Sequence, residues 1–560
     1  MTFKDYKYKR PDKDAYKNQM ENATKKIRMA KTAEDQILLA NEMQNLNLAV
    51  ATMENICYIR YTINTEDPFY KEEQDFFDTF SPLVSEKSML LSKEILASPF
   101  RKELEERWGK KAFDEMEMQV KSVSSDTVEL MEKESALENR YTEIMASAKI
   151  DFDGKVVNLA QLGKYKENSD PSIRKSAYIA EGEYYQKNAK ELDDIFAELV
   201  SVRNKQAEVL GFDFYTDFSY TRWKRLGYDK NDVETFRESV AKYIVPIVGE
   251  IKKNQSNRIG VSKITLPDDN YLFSDGNPTP KGDPDHLLDV ATRMYSEMST
   301  ETKEFIKFMN ERELFDLVAA KGKALGGYCT EIPDYASPFI FSNFNGTSGD
   351  VDVLTHEAGH AFNSYINRHV REFSQGHYGM EVAETHSMSM EFFAEPWYRL
   401  FFGEDTNKYK QMHMEQALSF IPYGCMVDEF QHYIYDNPNS TVLEKNEKWL
   451  SLESKYRPYL DISEIPHYSE GKGWQRQSHI YTSPFYYIDY CLAQTMALRM
   501  YMLMCKSREQ AWEKYMYFVK NSTTQTFTEL IESTSLISPF KKGSLSDLGE
   551  FVRDWLSDNA

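Results

Sequence analysis

The sequence is poor in residues that break helices, because its 560 residues include only 24 glycines and 19 prolines. Glutamate, lysine, leucine, methionine and alanine are plentiful, and these residues favour helices. We therefore predict a mainly α protein. A chain of this length exceeds what one compact core usually contains, so we also expect more than one structural unit.

Cysteine is scarce as well, with five scattered residues and no CxxC pair. This pattern is typical of reduced thiols in a cytosolic protein. The N-terminus, MTFKDYKYKRPDKDAYKN, is polar and lacks the apolar core of a signal peptide. We therefore predict a cytoplasmic location. The most apolar stretch, SPFYYIDYCLAQTMALRMYMLM, is interrupted by Asp489, Gln494 and Arg499, which favours a buried helix over a membrane span.

Basic residues are outnumbered, with 68 Lys and Arg against 89 Asp and Glu, and the net charge is −21. Nucleic-acid binders hold phosphates with clustered Lys and Arg, so this balance argues against a nucleic-acid partner. It also argues against binding to anionic membrane surfaces. Neutral or cationic ligands are mildly favoured.

The helical pattern is interrupted at a few places. Residues 10–145 carry apolar positions at helical spacing, and alternating apolar residues then flank Asp153-Gly154, which predicts a hairpin. Helices resume at Asp170-Pro171 and continue to Gly211. Residues 266–286, with four prolines, read as a loop. We predict an N-terminal helical region, residues 1–160, and a second region, residues 161–560.

The stretch VLTHEAGHAF, residues 353–362, predicts a metal site. His356 and His360 are four positions apart and project from one face of a helix, so both can bind one ion. Glu357 lies about 100° around the helix from His356, where a carboxylate can reach a metal-bound water without displacing it. The alternative is a chance match on a helix that happens to carry two imidazoles. The apolar residues on both sides favour a helix packed within the protein.

The segment before this helix is short and aromatic. Residues 338–344, PFIFSNF, predict a strand running beside the metal helix. Thr347 or Ser348 is placed to cap the helix N-terminus, and Asp350 and Asp352 follow in its first turn.

A catalytic zinc site needs a third protein ligand, and no HExxHxxGxxH is present to supply it. The nearest acidic helix is GMEVAETHSMSMEFFAEPW, where Glu381, Glu384, Glu391 and Glu395 fall within about one third of the circumference. One carboxylate can bind the metal, and another can hold a ligand histidine by its second ring nitrogen. An ordinary acidic stripe is the alternative.

These motifs resemble the oligoendopeptidase F and thimet oligopeptidase family of zinc metallopeptidases, in which HExxH is followed by a helix of pattern E-x-x-S-x-x-x-E. ETHSMSME fits this pattern without a gap. The resemblance implies one Zn²⁺ bound by His356, His360 and Glu384, with Glu391 behind a ligand histidine. Glu381 remains a competitor that spacing alone does not exclude. The resemblance extends over residues 165–545, and more loosely over the N-terminal helices.

The segment HIYTSPFYYIDYCLAQ resembles the His/Tyr segment of this family. Attack on a peptide carbonyl creates an oxyanion, which a phenol or an imidazole can stabilise. The resemblance makes His479, Tyr486 and Tyr490 the candidates, although the His-to-Tyr distance departs from the family pattern. His377 and His386, near the acidic helix, are candidates for substrate contact by position only.

The resemblance implies a helical bi-lobed zincin-type metallopeptidase with a small β-sheet beside the active-site helix and a deep internal channel. Residues 161–560 would be its catalytic region. The expected activity is hydrolysis of internal bonds in short peptides, with Glu357 as general base. Three alternatives stay open. The first is a helical zinc carboxypeptidase, for which Arg476 is a candidate to bind the terminal carboxylate. The second is a non-catalytic helical scaffold or binding protein with a structural or vestigial metal site, and the third is a peptide-binding chaperone.

Overall fold

The protein, described by a computed structural model over residues 1–375 and 378–559, is mainly α with small sheets, as predicted. Its helices up to residue 259 are α1 (Lys13–Met29), α2 (Ala33–Ile63), α3 (Pro68–Leu96), α4 (Arg101–Trp108), α5 (Lys110–Lys121), α6 (Val128–Ala146), α7 (Leu159–Lys166), α8 (Pro171–Val209), α9 (Tyr215–Arg222), α10 (Lys230–Tyr243) and α11 (Val245–Ile259).

The later helices are α12 (Pro284–Met298), α13 (Thr300–Glu311), α14 (Gly349–Asn367), α15 (Met380–Phe393), α16 (Tyr398–Phe402), α17 (Thr406–Asp436), α18 (Val442–Tyr456), α19 (Ser478–Thr482), α20 (Tyr487–Met504), α21 (Arg508–Asn521), α22 (Phe527–Ser533) and α23 (Ser546–Asn559). The strands are β1 (Ile150–Phe152), β2 (Lys155–Val157), β3 (Ile264–Thr265), β4 (Phe315–Val318), β5 (Tyr328–Ile332), β6 (Ser337–Phe344) and β7 (Leu460–Asp461).

The chain divides into two compact units, each built from separate stretches of sequence. Unit 1 comprises residues 1–120, 279–406 and 496–536. Unit 2 comprises residues 121–278, 407–495 and 537–560. These units are defined by packing. The predicted boundary between residues 160 and 161 separates an N-terminal helical region from a catalytic region, and it stays a prediction.

The long helix α8 begins and ends where the sequence predicts. Asp170 caps it by accepting the main-chain N–H of Ser172, and Pro171 occupies the first turn, where no N–H is needed. The chain leaves the helix through Gly211, whose φ of +82° favours glycine. The predicted hairpin is also present, since β1 and β2 pair antiparallel across Asp153 and Gly154.

The sheet of unit 1 has the order β4-β6-β5, with β6 at its centre. Strand β5 pairs antiparallel with β6, and β4 pairs parallel with it. Strand β6 is almost entirely buried and α14 packs against it, so the predicted strand beside the metal helix is confirmed. A sheet covered by a helix gives α14 a fixed support.

The apolar stretch that forms α20 is a buried helix, as predicted, and residues 491–500 are buried without exception. Within residues 1–375 and 378–559, no helix has the length and apolar character needed to cross a membrane.

Unit 1 has a hydrophobic core among its N-terminal helices, with Phe80 and Trp108 among its members. Unit 2 has a smaller cluster around Ile465 and Tyr468.

Candidate metal centre

Helix α14 carries two imidazoles on one face, as the spacing predicts. The ring centroids of His356 and His360 are 5.0 Å apart. Both side chains are about four-fifths buried, with 23% and 21% of their surface exposed. Burial lowers the pKa of His360 to about 4, which keeps this imidazole neutral near pH 7 and able to bind a metal.

Glu384 of α15 completes a three-residue group with the two histidines. Its Oε2 lies 3.2 Å from His356 Nε2 and 3.7 Å from His360 Nε2. Two ligands of a tetrahedral Zn²⁺ with bonds of about 2.0–2.1 Å lie about 3.3 Å apart. The donor atoms therefore fit a single ion of this kind. Among the described residues, this is the one group of three or more His, Cys, Asp or Glu side chains with such spacing.

The other acidic residues of this segment are placed differently. Glu381 is buried, and its carboxylate lies over Gly379, where an added β-carbon would be 2.4 Å from Oε1. Glu395 lies past the end of α15, in the 3₁₀ turn that follows, so it does not continue the acidic face of that helix. Neither residue belongs to the three-residue group, and the geometry favours Glu384 over Glu381.

Glu391 contacts the ring nitrogen of His356 that does not face Glu384. The Nδ1 of His356 is 2.7 Å from Glu391 Oε1, which leaves Nε2 facing Glu384. Burial alone would lower the pKa of His356, but the hydrogen bonds with Glu384 and Glu391 outweigh it and raise this pKa. A carboxylate on the second nitrogen of a ligand histidine fixes the ring orientation and increases its basicity.

Glu357 lies next to His356 and is 9% exposed. Burial raises the pKa of its carboxyl group to about 7, and the proximity of Glu384 and Glu391 contributes, while His356 opposes the shift. A carboxyl group with a pKa near the working pH can both accept and release a proton. A general base needs this property.

The close approach of α14 and α15 depends on a glycine that the sequence analysis did not single out. A β-carbon at Gly359 would lie 2.6 Å from Ser387 Cα and 2.8 Å from the main-chain oxygen of His386. Ser387 also has a second contact, since its Oγ is 3.2 Å from Glu384 Oε2. The small residue in HEAGH and the serine in ETHSMSME are the sequence signals for these contacts.

The start of α14 differs from the prediction. Neither Thr347 nor Ser348 caps the helix with its side chain, and the Thr347 hydroxyl instead donates to Asn345. Asp350, in the first turn, accepts the main-chain N–H groups of Asn345 and Gly346. The Asp350 carboxylate therefore holds the loop before the helix, and neither hydroxyl caps the helix N-terminus.

Comparison with known proteins identifies the family. The profile of Peptidase family M3 matches residues 294–543, and that of the Peptidase M3 N-terminal domain matches residues 3–123. The solved structure of PZ peptidase A is 43% identical, covers 100% of this chain and 99% of its own, and superposes with a TM-score of 0.94. The chain belongs to peptidase family M3. The matched residues 294–543 include the candidate metal centre and the His479 segment.

This M3 chain is similar in sequence to two curated relatives, an oligopeptidase PepF and an oligoendopeptidase F homolog, which confirms the resemblance. Oligopeptidase PepF of Bacillus subtilis is 22% identical over 422 residues, which are 71% of this chain and 61% of PepF. The oligoendopeptidase F homolog of Borreliella burgdorferi is 30% identical over 193 residues, 33% of this chain and 32% of that protein. The chain thus spans about three fifths of the length of the first relative and one third of the second.

The His/Tyr segment of this M3 chain forms an aromatic cluster in unit 2. The ring of His479 lies 5.8 Å from that of Tyr486, 4.9 Å from Tyr487 and 6.1 Å from Tyr490. The rings of Tyr486 and Tyr490 are 4.9 Å apart, although Tyr486 precedes the first residue of α20. The structure brings the three predicted residues together, and Tyr487 joins them in the cluster.

The orientation of His479 is set by Gln477. The amide nitrogen of Gln477 is 2.8 Å from His479 Nδ1, and its Oε1 accepts a hydrogen bond of 2.8 Å from the Tyr423 hydroxyl. Since Nδ1 accepts, the ring proton is on Nε2. Burial lowers the pKa of His479, so the neutral ring presents Nε2–H as a donor.

Two further histidines, His377 and His386, are the candidates for substrate contact near the acidic helix. His377 lies outside the described residues. His386 is fully buried, and its ring lies 5.8 Å from that of Tyr378. The main-chain oxygen of His386 accepts a hydrogen bond from Tyr515, which ties α15 to α21.

Proposed function

We propose that this chain is a zinc-dependent oligopeptidase that hydrolyses internal bonds of short peptides. The observation that supports it best is the convergence of His356, His360 and Glu384 at ligand spacing beside a buried glutamate. The names of its relatives, oligopeptidase PepF and oligoendopeptidase F homolog, are consistent with this activity. We assign residues 161–560 as the catalytic region and residues 1–160 as an N-terminal helical region.

His356, His360 and Glu384 would hold one Zn²⁺. When bound, zinc supplies Lewis-acid chemistry, which polarises a carbonyl and makes water more acidic. Two imidazoles and one carboxylate are a ligand set that suits zinc. Glu391 keeps the His356 ring oriented through Nδ1, and the Ser387 hydroxyl contacts the Glu384 oxygen that faces the histidines.

Glu357 would act as the general base. Its carboxylate accepts a proton from the attacking water and then delivers this proton to the nitrogen of the leaving amine. Its raised pKa of about 7 suits both steps, because proton transfer is most efficient when the pKa is near the working pH.

The aromatic cluster would supply donors to the oxyanion. His479 presents a neutral Nε2–H group because Gln477 occupies Nδ1, and Tyr486 and Tyr490 carry phenolic hydroxyl groups. Donors held in place before the reaction stabilise a developing negative charge at little reorganisation cost. A deep internal channel, implied by the family resemblance, would exclude folded proteins from the site.

The test is a Glu357→Gln variant compared with Glu311→Gln, which changes an exposed glutamate of unit 1. Both proteins are incubated with a mixed peptide library, with and without chelator, and the fragments are identified by mass spectrometry. We expect cleavage at internal bonds by the parent and by Glu311→Gln, and none by Glu357→Gln or after chelation. Zinc content measured by mass spectrometry should be equal in all three.

Two outcomes would contradict the proposal. Undiminished cleavage by Glu357→Gln would reject the general base. Release of single residues from peptide C-termini, with internal bonds left intact, would identify a carboxypeptidase instead.

A further inference from the structure

Unit 2 contains a cavity of about 300 Å³ whose wall is rich in cationic and phenolic side chains. Lys252, Arg457 and Arg476 contribute the positive charges, and Tyr423 and Tyr459 contribute hydroxyl groups. This volume is at the lower end of the range for small-molecule pockets, so the cavity can hold the end of a peptide.

The charged side chains of the wall are paired, with one exception. Their ion pairs are Lys252 with Asp269 at 2.6 Å, Glu415 with Arg258 at 2.8 Å, and Arg457 with Glu453, where Nε donates to Oε2 at 2.8 Å. These pairs neutralise every charge that lines the cavity apart from that of Arg476. The cavity therefore carries one positive charge without an opposite partner.

The guanidinium of Arg476 makes no ion pair or hydrogen bond with any described residue. Its guanidinium contacts only aromatic rings, with Cζ 5.8 Å from the Tyr423 centroid and 5.9 Å from that of Tyr468. A nearby carboxylate, Glu181, is already engaged by Lys166 and by the Tyr468 hydroxyl. The side chain of Arg476 is exposed to the cavity. A guanidinium has five donors, so this arrangement leaves all of them for a ligand.

A second unpaired donor lies on the same wall. The hydroxyl of Tyr459 is buried and has no hydrogen-bond partner within the described part of the chain. A guanidinium and a phenol together match the oxygens of a carboxylate, which guanidinium binds in a bidentate manner. The chemistry of the cavity therefore favours a carboxylate ligand.

The cavity lies next to the aromatic cluster of His479, Tyr486, Tyr487 and Tyr490, called the His479 cluster below. Tyr423, which lines the cavity, donates to Gln477, and Gln477 in turn contacts His479. Phe420 also lines the cavity, and its ring lies 6.2 Å from that of Tyr490. A ligand that contacts the cluster is therefore close to the cavity.

We infer that Arg476 binds the C-terminal carboxylate of a short peptide substrate. This inference rests on the proposed function, in which the His479 cluster contacts the carbonyl of the cleaved bond. The free carboxylate would then lie a few residues beyond that bond, on the side of the leaving amine. The substrates are accordingly short peptides with an unblocked C-terminus, cleaved near that end.

The test compares three N-acetylated peptides that differ only at the C-terminal residue. The first ends in a free carboxylate, the second is the amide of the same sequence, and the third is an amide whose last residue is replaced by glutamate. We expect kcat/KM for the free acid to exceed that for the plain amide by about 10- to 100-fold, the range for a hydrogen-bonded charge. In Arg476→Met this ratio should fall to near one. Arg553→Met, which removes an exposed arginine of the same unit, should keep the parental ratio.

The glutamyl amide distinguishes the two sources of a carboxylate. If it matches the free acid, Arg476 recognises an acidic side chain and the terminal assignment is overturned. Equal kcat/KM for acid and plain amide in the parent also overturns the inference, while the cleavage itself leaves the proposed function intact.

A binding measurement keeps the inference testable if no peptide is cleaved. An acetylated tripeptide acid and its amide are titrated into metal-free protein by calorimetry. Preference for the acid, lost in Arg476→Met and retained in Arg553→Met, supports the carboxylate site even if the proposed activity fails. Equal binding of acid and amide rejects it.

Discussion

A β-carbon on Gly359 would lie 2.6 Å from the Cα of Ser387, so the two helices that carry the candidate metal ligands meet at a glycine. Gly359 lies between the two candidate ligand histidines of α14, and Ser387 lies three residues after Glu384 on α15. The contact therefore sets the distance between the histidine pair and the third ligand. Backbone-to-backbone contact leaves no flexible side chain that could move aside.

Gly359→Ala should separate the two helices. A methyl group facing a main-chain atom at 2.6 Å forces a backbone shift, and overpacking of this kind costs about 1–3 kcal/mol of stability. We also expect weaker zinc binding, because Glu384 moves with α15. Thermal unfolding of the metal-free protein and zinc affinity by chelator competition measure the two effects.

Gly349→Ala is the matched control for this prediction. Gly349 begins the same helix, and a β-carbon there would meet Thr347 Oγ1 at an ordinary 3.4 Å. This variant should unfold and bind zinc like the parent. Parental zinc affinity in Gly359→Ala would contradict the role assigned to the contact.

Glu384→Gln and Glu381→Gln separate the two candidates for the third ligand. Glu384 Oε2 lies within 3.7 Å of both histidine Nε2 atoms, whereas the Glu381 carboxylate lies over Gly379. We expect Glu384→Gln to weaken zinc binding by more than about 100-fold, beyond the loss typical of an outer partner. Glu381→Gln should keep one zinc per chain. The reverse pattern in metal analysis would assign the site to Glu381.

The sequence predicts the features of the candidate site that depend on local geometry, but not those that depend on tertiary packing. HExxH places His356 and His360 on one face because helix geometry is local, and the strand before it follows from its β-branched and aromatic residues. Sequence spacing could not decide whether Glu381 or Glu384 is the third candidate ligand, because the direction of a carboxylate depends on tertiary packing. The predicted cap of α14 was wrong for a similar reason, since the Thr347 hydroxyl donates to Asn345 and Asp350 accepts from the loop before the helix. The unpaired charge of Arg476 depends on where distant residues fold, which no local pattern encodes.

Glu391→Ala should weaken zinc binding without removing a ligand. The Nδ1 of His356 would lose its partner at 2.7 Å, and with it the orientation of the ring. Loss of such a partner typically costs about 10- to 100-fold in metal affinity. Chelator competition measures the change, with Glu404→Ala, at an exposed glutamate of unit 1, as control. Unchanged affinity in Glu391→Ala would show that His356 is held in place by packing alone.

His467 makes the stability of unit 2 depend on pH. It is fully buried, its ring lies 5.3 Å from that of Tyr185, and neither ring nitrogen has a hydrogen-bond partner among the described residues. Burial lowers the pKa of His467 from 6.5 to about 4. The folded state therefore binds this proton less tightly than the unfolded state. Its contribution to stability is fully present above pH 6.5 and is lost as the pH falls through 4.

The full difference between the two protonation states corresponds to about 3 kcal/mol, from about 1.4 kcal/mol per pKa unit. His467→Phe keeps a ring against Tyr185 but cannot bind the proton, so its melting temperature should fall less between pH 7 and pH 4.5 than that of the parent. Metal-free protein is used, because zinc release at acid pH would otherwise contribute. His369→Gln, at an exposed histidine, should follow the parent. Parallel curves for His467→Phe and the parent would mean that His467 binds its proton equally well in the folded and unfolded states, which contradicts the linkage.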